Sequence, residues 1–446
     1  MASVFLGINK SNPKEQVIWD TSSVVNGHWI IVGGTGAGKT YQIGNICRQM
    51  QKQGMRIHIF DPHGDIETDP RYTSYTEFSE ISPYGINPLI INPSPMYGGV
   101  RKRINAFIQT VNKYSSKLDD RQEAGLRYML TELYARHGFD YANPDTWASG
   151  ELDASAFKKM PTIDDLHDLI YHKLRGFFLG HMSKVSDLFD RMNDRLLSYR
   201  RLQRYKGEDH RERARDNDAL IEQERQKLNE MKEELKDTFN RCIETVQDDE
   251  IDQYIRYGSR DLLKSLYDKI ENIRNLGIFK PTTPPFEKEK PLWRYDMSSL
   301  RVEEQGYLVE LTLEQIFADA IQRGFVNEVD TLVFIDEAQR FLSVDDKDST
   351  VSIIYREARK FGVGLALATQ NCAAFPQDVV INAGTKVVLG VDEAYQDIMA
   401  RVLGIERVRF IQPRKNALIQ IKAKNTLSGN RFIDTLLGGK AARHED

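Results

Sequence analysis

The sequence predicts an α/β protein: a parallel sheet built around a glycine-rich loop and split by a large helical insertion. Three observations predict it. The apolar run His28 to Val32 leads into Gly33-Gly34-Thr35-Gly36-Ala37-Gly38-Lys39-Thr40, which matches GxxxxGK[ST] in full. A second continuous apolar strand, Thr331 to Ile335, carries Asp336-Glu337 at its tip. Between them lies a long stretch rich in helical periodicity and charge.

Thr40 to Gln53 reads as a helix stopped by Gly54, and Met55 to Phe60 as a second strand. This βαβ alternation implies a parallel sheet. Pro83, Pro88, Pro93, Pro95, Gly98 and Gly99 mark Tyr84 to Gly99 as a loop. From Val100 to Leu276 the pattern is helical, with Ile104, Phe107, Ile108 and Val111 at i, i+3, i+4 and i+7. Ile221, Leu228, Leu235 and Cys242 recur every seven residues, with Met231 and Phe239 in a second stripe. That segment reads either as a coiled-coil arm or helical hairpin, or as a solvated surface helix. Pro281, Pro284, Pro285 and Pro291 end the helical region. Further strands are expected at Tyr307 to Leu311, Thr331 to Ile335, Val363 to Ala368, Lys386 to Leu389 and Ala417 to Ile421. The expected organisation is one split α/β domain, residues 1–100 and 290–446, with a helical insertion over residues 101–289.

The chain has 446 residues, 40% of them hydrophobic, which excludes wholesale disorder, collagen and small disulfide scaffolds. Its 61 basic and 65 acidic residues give a net charge of −4, which excludes a uniformly basic nucleic-acid coat. Arg200 to Glu250 holds 12 basic and 15 acidic residues; the remainder has 61 − 12 = 49 and 65 − 15 = 50. The core is thus nearly neutral, a locally basic groove stays open, and the charged arm suits contact with protein better than with DNA. Cys47, Cys242 and Cys372 are far apart and form no CxxC pair, so neither a disulfide framework nor a zinc site is expected. Met1 to Leu6 lacks the features of a signal peptide, and no apolar run approaches the roughly 20 residues of a membrane span. A cytoplasmic location is expected, with docking on a membrane-bound partner left open.

The glycine loop places Gly34, Thr35, Gly36, Ala37, Gly38, Lys39, Thr40 and Tyr41 at a nucleotide, where backbone N–H groups converge on phosphate oxygens. Lys39 is expected to reach the β- and γ-phosphates of ATP, and Thr40 and Asp336 to hold Mg²⁺. Glu337 is positioned to polarise the attacking water as general base, which suggests hydrolysis. Gln370, the last residue of the apolar strand Leu365 to Gln370, is either a γ-phosphate sensor or a strand cap. Arg356 and Arg359 precede that strand and either reach a neighbouring subunit's nucleotide or cap a helix C-terminus. Asp61-Pro62-His63-Gly64-Asp65 sits at the sheet's carboxyl edge, with His63 read as structural. Arg101, Lys102, Arg103, Lys113 and Lys117 form a basic cluster that either contacts phosphates or is a solvated helix start.

Together these stretches resemble the HerA/FtsK superfamily of ring-forming P-loop ATPases, and within it HerA and the conjugative type IV secretion ATPases. The carriers are HWIIVGGTGAGKT from His28, IFDPHGD from Ile59, Asn87-Pro88-Leu89, TLVFIDEAQRFL from Thr331, REARKFGVGLALATQ from Arg356, and NAGTKVVLGVDEAYQDIMARVLG from Asn382. The resemblance covers the two halves of the split domain. It implies a RecA-like core that assembles as a homo-hexamer, ATP and Mg²⁺ between subunits, and a central channel for DNA. By the same resemblance Lys39 and Thr40 bind phosphate and Mg²⁺, Asp336 and Glu337 are the Walker B pair, and Gln370 is the sensor. Arg359 is the first candidate for an arginine acting in trans, Arg356 the second. Two departures stand out: the first expected strand begins near His28, so the β-barrel of HerA is not expected here, and the Walker motifs are unusually far apart.

Three functions follow as expectations: a translocase moving double-stranded DNA, a secretion-type ATPase at a membrane complex, or a nucleotide-gated scaffold. In each the helical insertion is a candidate docking surface for a protein effector or nuclease.

Overall fold

The computed structural model describes residues 2–148, 150–153, 156–179, 183–204, 213–244, 260–344, 349–405, 411, 413–424 and 430–438. Packing divides the chain into two units. One comprises residues up to 116, 140–162 and from 276 onward; the other comprises 117–139 and 163–275.

The first unit opens with two antiparallel strands, β1 (Ser3–Asn9) and β2 (Gln16–Asp20). In β2, Val17 and Trp19 turn inward while Ile18 faces out, the alternation of a sheet covered on one side. These two strands, of seven and five residues, lie ahead of the first one expected, near His28, and were not anticipated. β3 (Trp29–Val32) is buried at every position, as a central parallel strand requires. α1 (Lys39–Gln51) turns Ile43, Ile46, Cys47 and Met50 onto the sheet. β4 (Arg56–Asp61), β5 (Thr73–Glu77) and α2 (Val100–Tyr114) follow. α2 buries Ile104, Phe107, Ile108 and Val111, the face its periodicity predicted, and packs in this unit.

The second unit is helical: α3 (Asp120–Arg136), α4 (Ile163–Leu179), α5 (Ser183–Arg204), α6 (Arg213–Glu244) and α7 (Arg260–Arg274). Leu126, Leu130, Leu166, Ile170, Leu266 and Ile270 form its core. α5 and α6 pack together, with Arg195 Nη1 3.1 Å from Glu224. Of the heptad stripe, Ile221 and Leu228 are buried, Met231 and Leu235 half-buried, and Phe239 exposed. The side chain of Cys242 and residues 205–212 and 245–250 lie outside the described residues. Between the two segments of this unit, β6 (Gly150–Asp153) and β7 (Ala156–Lys158) pair as a hairpin of the first unit.

The first unit resumes with β8 (Leu292–Asp296) and α8 (Val302–Arg323). Tyr307 to Leu311, expected as a strand, is the middle of α8. Every residue from Glu304 to Leu313 is buried, polar Glu304, Gln305, Glu310 and Thr312 included, so the helix shows no one-sided apolar stripe there and the short apolar stretch Tyr307-Leu308-Val309 mimics a core strand. Then come β9 (Thr331–Ile335), α9 (Thr350–Glu357), β10 (Val363–Thr369), α10 (Gln377–Asn382), β11 (Thr385–Val388), α11 (Glu393–Leu403), β12 (Asn416–Ile421) and β13 (Ile433–Leu437).

Eleven strands form one sheet in the order β2-β1-β13-β12-β11-β3-β10-β9-β4-β8-β5. Neighbours from β11 to β5 are parallel. The β12, β13, β1 and β2 pairings are antiparallel. β10 separates β3 from β9, so the glycine loop, Gln370 and Asp336 leave the same carboxyl edge side by side. No helix among the described residues is long and apolar enough to cross a membrane.

Candidate nucleotide-binding site

The loop between β3 and α1 is fixed from below by backbone bonds. Gly33 N donates to Thr369 O at 3.1 Å and Gly34 N to Gly390 O at 2.8 Å, tying it to β10 and to the end of β11. Gly36 (φ 73°) and Gly38 (φ 99°) are left-handed, a conformation glycine adopts freely. A Cβ on Gly34 would meet the Asp392 carboxylate at 3.0 Å. Lys39 opens α1 and is 7% exposed; its Nζ donates to Gly33 O at 3.0 Å. Thr35 is exposed, Ala37 buried and Thr40 half-buried in the first turn of α1. Tyr41 turns its ring outward, with the Arg48 guanidinium 5.9 Å from its centroid.

Asp336 caps β9. Its N–H donates to Phe60 O at 3.2 Å, and its Oδ1 accepts the Glu337 N–H at 2.9 Å. Burial pushes its carboxyl up to about 6, aided by the Glu337 charge and opposed by the Glu337 N–H bond and Lys39. Glu337 then turns sharply: its φ is 48°, left-handed and strained for a residue with a side chain. That turn brings its Oε1 to 3.7 Å from Lys39 Nζ. Gln370 Nε2 lies 3.4 Å from Glu337 Oε1, and Gln339 Nε2 donates to Glu337 Oε2.

Lys39, Glu337 and Gln370, predicted from separate motifs, thus meet in one cluster. Gln339 was not anticipated, although it stands within the quoted Thr331 to Leu342 stretch. The Asp61 loop is organised from inside. Buried Asp61 accepts from Gly64 N at 2.8 Å and Ile66 N at 3.0 Å and pairs with Arg294 at 2.8 Å. His63 Nε2 sits 3.2 Å from Arg340 Nη2, linking that loop to the turn after Glu337.

Arg356 and Arg359 stand elsewhere. Arg359 lies in the 3₁₀ turn Ala358–Phe361 that enters β10, and both arginines line a cavity with Asn26, Glu328 and Lys424 at the amino edge of the sheet. The seven residues of β10 separate them from the Lys39 edge by roughly 20 Å, so neither serves the Lys39 of its own chain. The basic cluster is largely spent on internal contacts. Arg103 pairs with Glu314, Lys113 donates to Phe341 O at 2.9 Å, Lys102 to Met96 O at 2.6 Å, and Arg101 lies 4.5 Å from the Tyr141 ring centroid. Arg103 and Lys113 are thus engaged with carboxylates, while Arg101 and Lys102 stay exposed.

The residues fit a magnesium nucleotide. A Cβ at Gly34 would crowd the Asp392 carboxylate, a buried lysine stands at the mouth of the glycine cradle, and Thr40 and Asp336 offer hard oxygen donors. No cluster of three or more His, Cys, Asp or Glu among the described residues could hold a metal alone. Mg²⁺ is commonly held by one or two protein ligands plus substrate phosphates, which matches this donor set.

Comparison with known proteins agrees. The family described as the central domain of the helicase HerA matches residues 5–316. A Methanocaldococcus jannaschii protein described as "Probable DNA double-strand break repair helicase HerA" is 22% identical over 408 residues, 88% of this chain and 68% of the relative. A second protein of that organism, described as a probable helicase, is 20% identical over 417 residues. The chain spans 62% of that relative's length. Among solved structures, VirB4 of Thermoanaerobacter pseudethanolicus matches in fold with a TM-score of 0.61, covering 99% of this chain and 97% of that one at 13% identity. With the family match extending from β1 into α8 and the Walker residues gathered at one sheet edge, the chain belongs to the HerA central-domain family and is a P-loop ATPase.

Proposed function

We propose that this chain is a subunit of a ring-shaped motor, a homo-hexamer, that hydrolyses ATP between subunits and moves double-stranded DNA through a central channel. The observation that carries the reading is the cluster of Lys39, Glu337 and Gln370, which puts a cation, a carboxylate and an amide at one point of the loop. Lys39 binds the phosphate chain. Glu337 takes the proton of the attacking water, held in place by Gln339 and Gln370. Thr40 and Asp336 hold Mg²⁺, which supplies positive charge to the phosphate oxygens when bound. Arg359 of one subunit serves the nucleotide of the next, with Arg356 as second candidate. The DNA substrate rests on the relative described as a double-strand break repair helicase. The helical unit, rich in surface charge, is the proposed docking site for a protein effector or nuclease, and the proposed location is the cytoplasm.

The test is ATP hydrolysis with and without double-stranded DNA. Stimulation by DNA that disappears in Glu337→Gln is the expected result. Turnover indifferent to DNA would sink the translocase reading and leave secretion-type work; a monomer in the presence of ATP would sink the ring.

A further inference from the structure

Two non-glycine residues among those described hold φ in the left-handed region: Glu337 at 48° and Arg414 at 62°. Such strain persists only where the surroundings over-determine it, and it gathers at functional sites. Both residues contact the stretch Gly33 to Thr40 from other parts of the chain. Glu337 faces Lys39, and Arg414 Nε donates to Gly36 O at 3.0 Å.

The topology explains how a residue so late in the chain arrives there. β12 runs antiparallel to β11, which is parallel to β3. The amino end of β12 therefore sits at the carboxyl edge of β3, where the loop emerges, and Arg414 immediately precedes that end. Pro413 closes over Gly390, with its Cγ only 2.6 Å from where a Cβ would stand, and the Gly390 carbonyl receives Gly34 N. The Arg414 Cγ lies 3.5 Å from the Cβ position of Gly38. The Pro413-Arg414 turn is thus docked on the loop at Gly36, at Gly38 and, through Gly390, at Gly34.

Nothing in this docking requires an arginine. A single donor would satisfy the Gly36 carbonyl, and the side chain is exposed, so packing does not call for its length. No ion pair of Arg414 forms among the described residues. What arginine adds is a second pair of donors and a fixed charge, in a planar fork suited to phosphate.

We propose that Arg414 is a nucleotide-binding residue supplied by the same chain: with Nε braced on Gly36, its two Nη groups bind the polyphosphate of the nucleotide held by the loop. The inference rests on the P-loop reading above and adds a second cation to Lys39. It differs from the role of Arg359, which serves another subunit.

The experiment measures ATP and ADP affinity by calorimetry, and KM and kcat for hydrolysis, on the full chain with Mg²⁺. Arg414→Gly accepts a φ of 62° without strain, so it removes the guanidinium and keeps the turn. Arg414→Gln keeps a donor for Gly36 O and removes the charge. Arg414→Lys keeps a charge. The expected result is about tenfold weaker binding of both nucleotides in the Gly and Gln variants, with the loss falling on KM more than on kcat, and partial recovery in Lys. Wild-type affinity in Arg414→Gln overturns the proposal and leaves Arg414 as a brace for the loop. Wild-type affinity in Arg414→Gly overturns even that. Failure of the wild-type protein itself to bind ATP would instead sink the nucleotide reading, and this inference with it.

Discussion

The Nζ of Lys39 lies 3.7 Å from Oε1 of Glu337, joining a residue of the first helix to one that follows the ninth strand. Lys39 also holds Gly33 O, and Glu337 is in turn held by Gln370 and Gln339. The lysine and carboxylate are therefore restrained from both sides, and each neighbour contributes to the aim of Glu337.

Gln339 is the neighbour with no other evident task. In the function proposed above it acts through Glu337, as a positioning residue. Gln339→Ala should lower kcat roughly tenfold and leave KM within about twofold, since general-base work is typically worth 10²–10⁴ and only its aim is lost. Gln339→Glu should be worse than Ala, because a second carboxylate would repel Glu337. Equal losses in kcat and ATP affinity would show collapse of the turn instead.

Lys113 makes a structural prediction. Its Nζ lies 3.4 Å from Oε2 of buried Glu310, whose Oε1 accepts Thr350 N at 2.8 Å. The same Nζ donates to Phe341 O, just beyond the Glu337 turn. Lys113→Met strands a buried carboxylate and should cost about 1–3 kcal/mol of stability, as read from urea unfolding. Adding Glu310→Gln should return part of that. A double variant as weak as the sum of the two singles would mean that the pair is not coupled.

Much of this site is legible in the sequence because its residues are consecutive. The glycine loop and the Asp336-Glu337 pair are each a local string, and each follows a strand buried on both faces. Gln370 is legible because it ends a third such strand. Partners made by tertiary pairing are not legible. Arg294 reaches Asp61 only because β8 lies next to β4. Arg414 reaches Gly36 only because β12 turns back along β11. The same limit explains Tyr307 to Leu311, where burial all round a helix erases the periodicity that distinguishes it from a strand.

One buried histidine, His28, and one half-buried histidine, His58, predict a pH dependence of stability. His28 is stacked on Tyr355 and accepts Leu365 N at its Nδ1, and burial lowers its pKa to about 3. His58, stacked on Trp293, is lowered to about 3 by burial, with Arg323 and Arg56 adding to the effect. Unfolded, each returns to the ordinary value of 6.5. Between these values the unfolded chain binds protons that the folded chain refuses, so stability falls as pH drops below about 6.5. Glu314 and Asp319, raised by burial, act in the opposite sense. The test is therefore a difference: the urea midpoint of His28→Gln should fall less between pH 7.5 and pH 5 than that of the wild type. Parallel curves would contradict a neutral, buried His28.

Arg359 carries the last prediction. It is exposed, it stands at the amino edge of β10, and the Lys39 of its own chain is at the far edge of the sheet. If it completes the site of an adjacent subunit, Arg359→Ala abolishes turnover and leaves ATP affinity nearly intact. Lys39→Ala, by contrast, loses affinity at its own loop and still offers Arg359 to a neighbour. Mixing the two inactive proteins then restores turnover, because some loops with Lys39 intact face an intact Arg359. The restored rate should depend on the mixing ratio and vanish at either extreme. No recovery at any ratio, or an Arg359→Ala protein that no longer binds ATP, would assign the arginine to the fold. Arg356→Ala, run in parallel, tells which of the two arginines the neighbour uses.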